Sequence, residues 1–182
     1  MFRVDKEKDG IVDWTKLVGY RRGLEVARWH TQKPVFPETV GHHSASVALL
    51  CDLISEGSCS RDVLYSALIH DLGEFCTGDV PAPAKRENPS LKDHLRIMDE
   101  EYIRRLGIDI PLLAASEVDL LKAADIIDLL WAARLEIQVG NTDFTEVLER
   151  GFSYLEVLQY LPARQQLIIS KITDSLRLEN GS

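Results

Sequence analysis

Leu68-Ile69-His70-Asp71-Leu72-Gly73-Glu74-Phe75 decides how the chain is read, because it sets three metal-binding or proton-carrying groups inside an apolar, helix-patterned run. On a continuous helix His70 and Glu74, four apart, and Asp71 and Glu74, three apart, share one face. An unpaired buried charge is too costly to keep, so such a face must be paired, neutralised or bound to metal. The partners have to come from elsewhere in the chain.

Outward from that run, helical spacing recurs and strand alternation does not. Leu17, Tyr20, Leu24 and Ala27 predict a first helix from Asp13 to about Trp29. Pro34 and Pro37 then force a loop, and Val47, Leu50 and Leu53-Ile54 mark a second helix from about Gly41 to Ser55. Ser60 is placed to cap a third helix reaching Phe75. Thr77 to Pro83 reads as a proline-stiffened loop, followed by a helix from about Ser90 to Leu106 that Gly107 ends. Ser116, with Asp119 three later, predicts the cap of a long helix to Val139. Two more, about 143–160 and 163–178, meet at Pro162. The expectation is an all-α single domain, 1–182, of six or seven helices, with a core over about 13–160 and a C-terminal helix in 161–182.

The bulk properties narrow the function. With 182 residues, 45% hydrophobic, the chain can bury a real core. A net charge of −8 argues against a general binder of nucleic-acid polymers or anionic membranes, though a few converging cations could still hold phosphates. Cys51, Cys59 and Cys76 form no C-x-x-C pair and predict free thiols in a reducing compartment. No run is long and apolar enough to span a membrane, and Met1–Asp13 lacks the apolar stretch of a secretory signal, so a cytoplasmic location is expected.

Two stretches can complete the polar face of His70. Asp125 sits in Leu120–Leu130, the most apolar helix of the chain, where a carboxylate needs compensation. His42-His43 opens the second helix. One of these histidines with His70, Asp71 and Asp125 gives a His/His/Asp/Asp set from three helices, a donor mixture suited to Mn²⁺, Fe²⁺, Co²⁺ or Zn²⁺. Each member has a plainer reading: His42-His43 as a helix-start pair bonded to nearby backbone, Asp125 as a partner of Lys122. Asp128 is expected to face solvent.

In this order the motifs resemble the HD-domain metal-dependent phosphohydrolases, and within them the compact branch of YfbR-like 5′-deoxynucleotidases and phage dATP triphosphohydrolases. The resemblance spans roughly Tyr20 to Phe144 and rests on Arg28-Trp29, Val40-Gly41-His42-His43-Ser44, His70-Asp71-Leu72-Gly73-Glu74, Thr77-Gly78-Asp79-Val80-Pro81-Ala82-Pro83-Ala84-Lys85, and Leu121-Lys122-Ala123-Ala124-Asp125. The Thr-Gly-Asp-x-Pro-x-Pro-x-Lys run is far more specific than His-Asp alone. By this resemblance His43, fifteen residues after Arg28, ligates one divalent metal (Co, Mn, Zn, Fe or Mg) with His70, Asp71 and Asp125, and a further ion can accompany the substrate phosphates. His42 departs from the pattern, which usually has Glu there.

The resemblance also implies roles. Glu74 is the general acid or base and Asp79 orients water or substrate. Arg28, Lys85 and Lys122 meet phosphates, and Trp29 walls the sugar against a 2′-hydroxyl. The implied reaction is hydrolysis of a deoxynucleotide 5′-phosphoester by water attack at the α-phosphorus, in a homo-oligomer. The 54-residue link from Asp71 to Asp125, with Lys85 and Lys122, leans toward dATP triphosphohydrolysis and phage-type dATP depletion in a host cytoplasm. The alternatives are a 5′-nucleotidase on deoxynucleoside monophosphates and a catalytically silent module binding nucleotide or protein.

Overall fold

Helices α2 (Val40–Ile54) and α6 (Ala115–Gln138) pack on each other at the centre of the computed structural model, which describes residues 13–178. The other helices are α1 (Trp14–Leu24), α3 (Arg61–Ile69), α4 (Ala82–Glu87), α5 (Pro89–Arg105), α7 (Thr145–Leu155) and α8 (Ala163–Leu178). Two 3₁₀ turns, Leu72–Phe75 and Thr142–Phe144, complete the described residues, whose strand-like pairing is one bridge between Ala27 and Thr39. The all-α expectation is met with one helix more than expected: six-residue α4 starts inside the proline loop, with a proline in its first turn where no N–H is needed. Of the Met1–Asp13 stretch, all but Asp13 lies outside the described residues. Among those described, no helix is long and apolar enough to cross a membrane, and all three cysteines are free.

The apolar stripes meet where their spacing aims them. Val47, Cys51 and Ile54 of α2, Val63 and Ala67 of α3, and Ala123, Ala124 and Ile127 of α6 form one buried cluster. Ile169 of α8 belongs to it, and Leu176 joins Leu130, Phe144 and Leu148 in a second, so the C-terminal helix completes the core. Each fully buried aliphatic side chain there is worth about 1.5–3 kcal/mol of transfer free energy.

Three local expectations are corrected. The first helix stops at Leu24, because Val40 N–H bonds Val26 O at 2.9 Å and Arg28 N–H bonds Glu38 O at 3.0 Å. Those bonds turn residues 25–39 into a loop that returns to the start of α2 and delivers Arg28 and Trp29 there. The cap of α6 is Ala114, not Ser116: the Glu117 carboxylate accepts the Ala114 N–H at 2.9 Å.

The third correction concerns the decisive stretch itself. α3 ends at Ile69, and Asp71, at φ −105° and ψ 7°, breaks the helix before the 3₁₀ turn. His70, Asp71 and Glu74 therefore do not share one helix face. The broken turn is held from both sides at van der Waals distance. A Cβ on Gly23 would lie 2.4 Å from Leu72 Cδ1, and one on Gly73 2.4 Å from the Asp99 Cα. Only glycines allow α1 and α5 to clamp it so closely.

Candidate active site

α2 brings in His43, with no exposed surface, one turn after the Thr39 cap. Its Nε2 lies 3.2 Å from His70 Nε2, 3.2 Å from Asp125 Oδ1 and 3.6 Å from Asp71 Oδ2, and His70 Nε2 lies 3.4 Å from that same Asp71 oxygen. The donor atoms of His43, His70 and Asp71 sit within 4.8 Å of one another, and Asp125 joins them through His43. The neighbouring His42 is exposed and lies 3.5 Å from Glu38 Oε1, so His43 is the imidazole that enters the cluster.

The remaining ring nitrogens show what this cluster requires. His43 Nδ1 is 2.6 Å from Asp128 Oδ2, and His70 Nδ1 is 2.8 Å from Ala67 O. Both partners accept hydrogen bonds, so each Nδ1 carries its proton and a neutral ring leaves each Nε2 bare. Two lone pairs and two carboxylates then face one another with no hydrogen between them, an arrangement that needs a cation. In the chain by itself a proton serves: burial works to lower the His43 pKa, but Asp125 and Asp128 outweigh it and lift it to about 9. Burial likewise works to raise Asp125, and the His43 hydrogen bond with the charges of His70, His43 and Arg28 pulls it down to about 2. A divalent ion would satisfy all four donors at once, and two imidazoles with two carboxylates suit a borderline ion.

Glu74 stands apart from that set. It is buried, its Oε2 has no hydrogen-bond partner among the described residues, and its Oε1 lies 3.7 Å from Lys85 Nζ. Burial, then the charges of Asp71 and Asp79, push its pKa up to about 8 against the pull of Lys85 and Arg28. In the metal-free chain this surrounding favours the protonated carboxyl.

Asp79 accepts the Trp29 backbone N–H at 3.0 Å. Trp29 has φ 60°, a left-handed conformation that costs a bulky residue energy and must be held by its surroundings. Its Nε1–H donates to Glu38 Oε2 at 2.9 Å, and its ring meets Phe144 edge-on with centroids 5.4 Å apart. Arg28, beside it, donates through Nη1 to the same Glu38 oxygen at 2.8 Å.

Arg28, Trp29, Asp71, Glu74, Asp79, Lys85 and Asp125 line one cleft of about 290 Å³, which Leu129 of α6 and Val147, Arg150 and Tyr154 of α7 help to close. Lys122 is exposed on α6 and is not among the lining residues. On the other side of His70 and Lys85 a second, more open cavity of about 640 Å³ carries Lys92 and Arg96. Asp128, expected to face solvent, is 5% exposed and bound to His43 and the Ser46 hydroxyl. Glu38, Arg86, Arg150 and Tyr154 were not singled out from sequence either. Asp128 had a signal: it lies three residues after Asp125 on one helix, able to reach the far side of the same imidazole. The others are set by long-range packing and had none.

Residues 21–172 match the family described as 5′-deoxynucleotidase YfbR-like. A 5′-deoxynucleotidase of Pasteurella multocida (strain Pm70) is 25% identical over 141 residues, covering 65% of this chain and 72% of its own. The corresponding enzyme of Photorhabdus temperata is 26% identical with the same coverage. Among solved structures, the HD phosphohydrolase DatZ of cyanophage S-2L, bound to dA and one catalytic Zn²⁺ ion, superposes with a TM-score of 0.67 at 22% identity, covering 87% of this chain and 95% of that one. A protein of Pyrococcus horikoshii OT3 superposes with a TM-score of 0.64 at 19% identity, over 87% of this chain and 97% of that one.

Proposed function

The chain belongs to the YfbR-like family of HD-domain deoxynucleotide phosphohydrolases, and from that premise we propose that it cleaves a deoxynucleotide between the 5′-oxygen and the α-phosphorus, with dATP giving deoxyadenosine and triphosphate. The reading rests on the convergence of the Nε2 atoms of His43 and His70 with the carboxylates of Asp71 and Asp125, beside a buried Glu74 whose Oε2 has no hydrogen-bond partner among the described residues. His43, His70, Asp71 and Asp125 would hold one divalent ion. When bound, such an ion lowers the pKa of water and neutralises phosphate charge.

The chain's own residues supply the remainder. Asp79 accepts the proton of the attacking water, and Glu74 gives its proton to the departing 5′-oxygen, so one proton enters and one leaves. Lys85 and Arg28 meet the phosphate, and Trp29 packs against the deoxyribose. An apolar wall at C2′ leaves a 2′-hydroxyl neither space nor a hydrogen-bond partner.

The triphosphate reading draws support from Lys92 in the cavity beyond His70 and Lys85, where Arg96 is paired to Glu100 at 2.7 Å and Asp99 shares the lining. A second reading, hydrolysis of deoxynucleoside monophosphates, is favoured by the curated relatives, which are named 5′-deoxynucleotidases. One assay separates them. dATP and dAMP are supplied in turn with Mn²⁺, Co²⁺ or Mg²⁺, and the released anion is identified. Triphosphate from dATP supports the first reading, and phosphate from dAMP with dATP untouched supports the second. No hydrolysis of any deoxynucleotide would leave a silent binding module.

A further inference from the structure

We propose that Asp128 and Glu38, bridged by Arg28, are positioning residues that lock the His43 ring and the Trp29 indole into one unit, so that the metal centre and the sugar wall are set together. The inference rests on the four-donor reading of the site and adds to it the residues that hold two of its parts in register.

Hydrogen bonds hold both ends, and a longer ion pair joins them. One oxygen of Asp128 takes the His43 Nδ1–H at 2.6 Å, and the other takes the Ser46 hydroxyl in a short hydrogen bond. Arg28 Nη1 lies 3.9 Å from that first Asp128 oxygen and 2.8 Å from Glu38 Oε2. The same Glu38 oxygen accepts the Trp29 Nε1–H at 2.9 Å. The side chains of Arg28, Glu38 and Asp128 are only 7–10% exposed. One cation thus stands between two largely buried carboxylates, and removing it would withdraw part of the charge that offsets each.

Each end of this chain of contacts fixes something otherwise free. An imidazole can flip or change tautomer. Asp128 admits only the form with the proton on Nδ1, which leaves Nε2 bare toward His70 and Asp125. The Trp29 backbone is left-handed, and Glu38 at the indole with Asp79 at the amide pins it at both ends. Glu38 touches none of the four donors, yet it shares Arg28 with the carboxylate that orients one of them. Its removal should therefore be felt at the metal.

The test uses the metal alone. Metal-stripped protein is titrated with Co²⁺, read by its visible absorption, for the wild type, Asp128→Asn, Ser46→Ala and Glu38→Gln, with circular dichroism to compare folds. Asp128→Asn should weaken Co²⁺ binding about 10–100-fold and shift the absorption band, as loss of an outer partner of a ligating histidine does. Ser46→Ala should weaken it less, and serves if Asp128→Asn does not fold. Glu38→Gln should weaken it about 2–30-fold, the range of coupling carried through a packed network. Wild-type affinity and spectrum in both the Asp128 and Ser46 variants, or wild-type affinity in Glu38→Gln, would overturn the proposal while the metal reading stands. A wild type that binds no Co²⁺ would sink both.

Discussion

The α6 helix and the His70 turn each place two carboxyl groups three residues apart, and they use the spacing in opposite ways. On α6 the helix is unbroken, so Asp125 and Asp128 stay on one side and grasp one imidazole by its two nitrogens, at 3.2 and 2.6 Å. At the turn the helix ends at Ile69, and Asp71 and Glu74 part company. Asp71 joins the donor cluster, while Glu74 goes to a buried position that pushes its pKa up. Periodicity keeps two acids on one target, and a break sends two acids into different surroundings.

The most severe way to test that division is to remove a donor. His70→Ala or Asp71→Ala should abolish turnover and strip bound metal, measured by elemental analysis of the purified protein beside the wild type. Full activity in either variant would show that the donor set is wrong. Glu74→Gln should instead keep its metal and lose about 10²–10⁴-fold in kcat, the usual contribution of a positioned acid. Its stability should move the other way. In the folded, metal-free chain Glu74 titrates at about 8 against 4.5 ordinarily, so the folded state holds a proton that the unfolded state releases between those values. Stability from the neutral carboxyl is complete below about pH 4.5 and is lost as the pH rises toward 8. Glutamine stays neutral throughout, so Glu74→Gln should melt higher than the wild type at pH 8 and level with it at pH 4.5. An equal difference at both would mean that Glu74 is already ionised in the folded chain.

The same contrast explains what was legible in the sequence. Asp125 and the core faces of α2, α3 and α6 follow from unbroken helical spacing, and the structure places them accordingly. His70, Asp71 and Glu74 were read correctly as a polar group in an apolar run but wrongly as one helix face, because the break depends on Gly23 and Gly73 admitting α1 and α5. Asp128 was misread because burial of a second carboxylate on α6 makes sense only once His43 Nδ1 is seen to need an acceptor. Glu38 was invisible, since its role arises from a loop whose fold depends on bonds to Val26 and Arg28.

Trp29→Ala tests the cleft side of the contrast and should have a smaller effect than loss of Glu74. Metal content should hold, while the preference for a deoxynucleotide over its ribonucleotide counterpart should fall about tenfold or more, read as the ratio of kcat/KM values. An unchanged ratio would show that the indole, packed on Phe144 and bonded to Glu38, does not wall the sugar.

The smallest effect separates two lysines that the sequence treats alike. Lys85 lies in the cleft, 3.7 Å from Glu74, whose pKa it lowers, so Lys85→Ala should remove a phosphate cation and also raise the pH at which Glu74 gives up its proton. The pH-rate profile should then hold its plateau to higher pH while kcat/KM falls. Lys122 is exposed outside the cleft, where water and salt screen its charge, so Lys122→Ala should change kcat/KM by less than about fivefold and leave the pH profile in place. If the two variants lost activity equally, Lys122 would have to reach the phosphates when substrate binds. If only Lys122→Ala lost activity, the cations that matter would lie on the α6 side of the metal site, and the phosphate chain would run along α6 instead of toward Lys92 and Arg96.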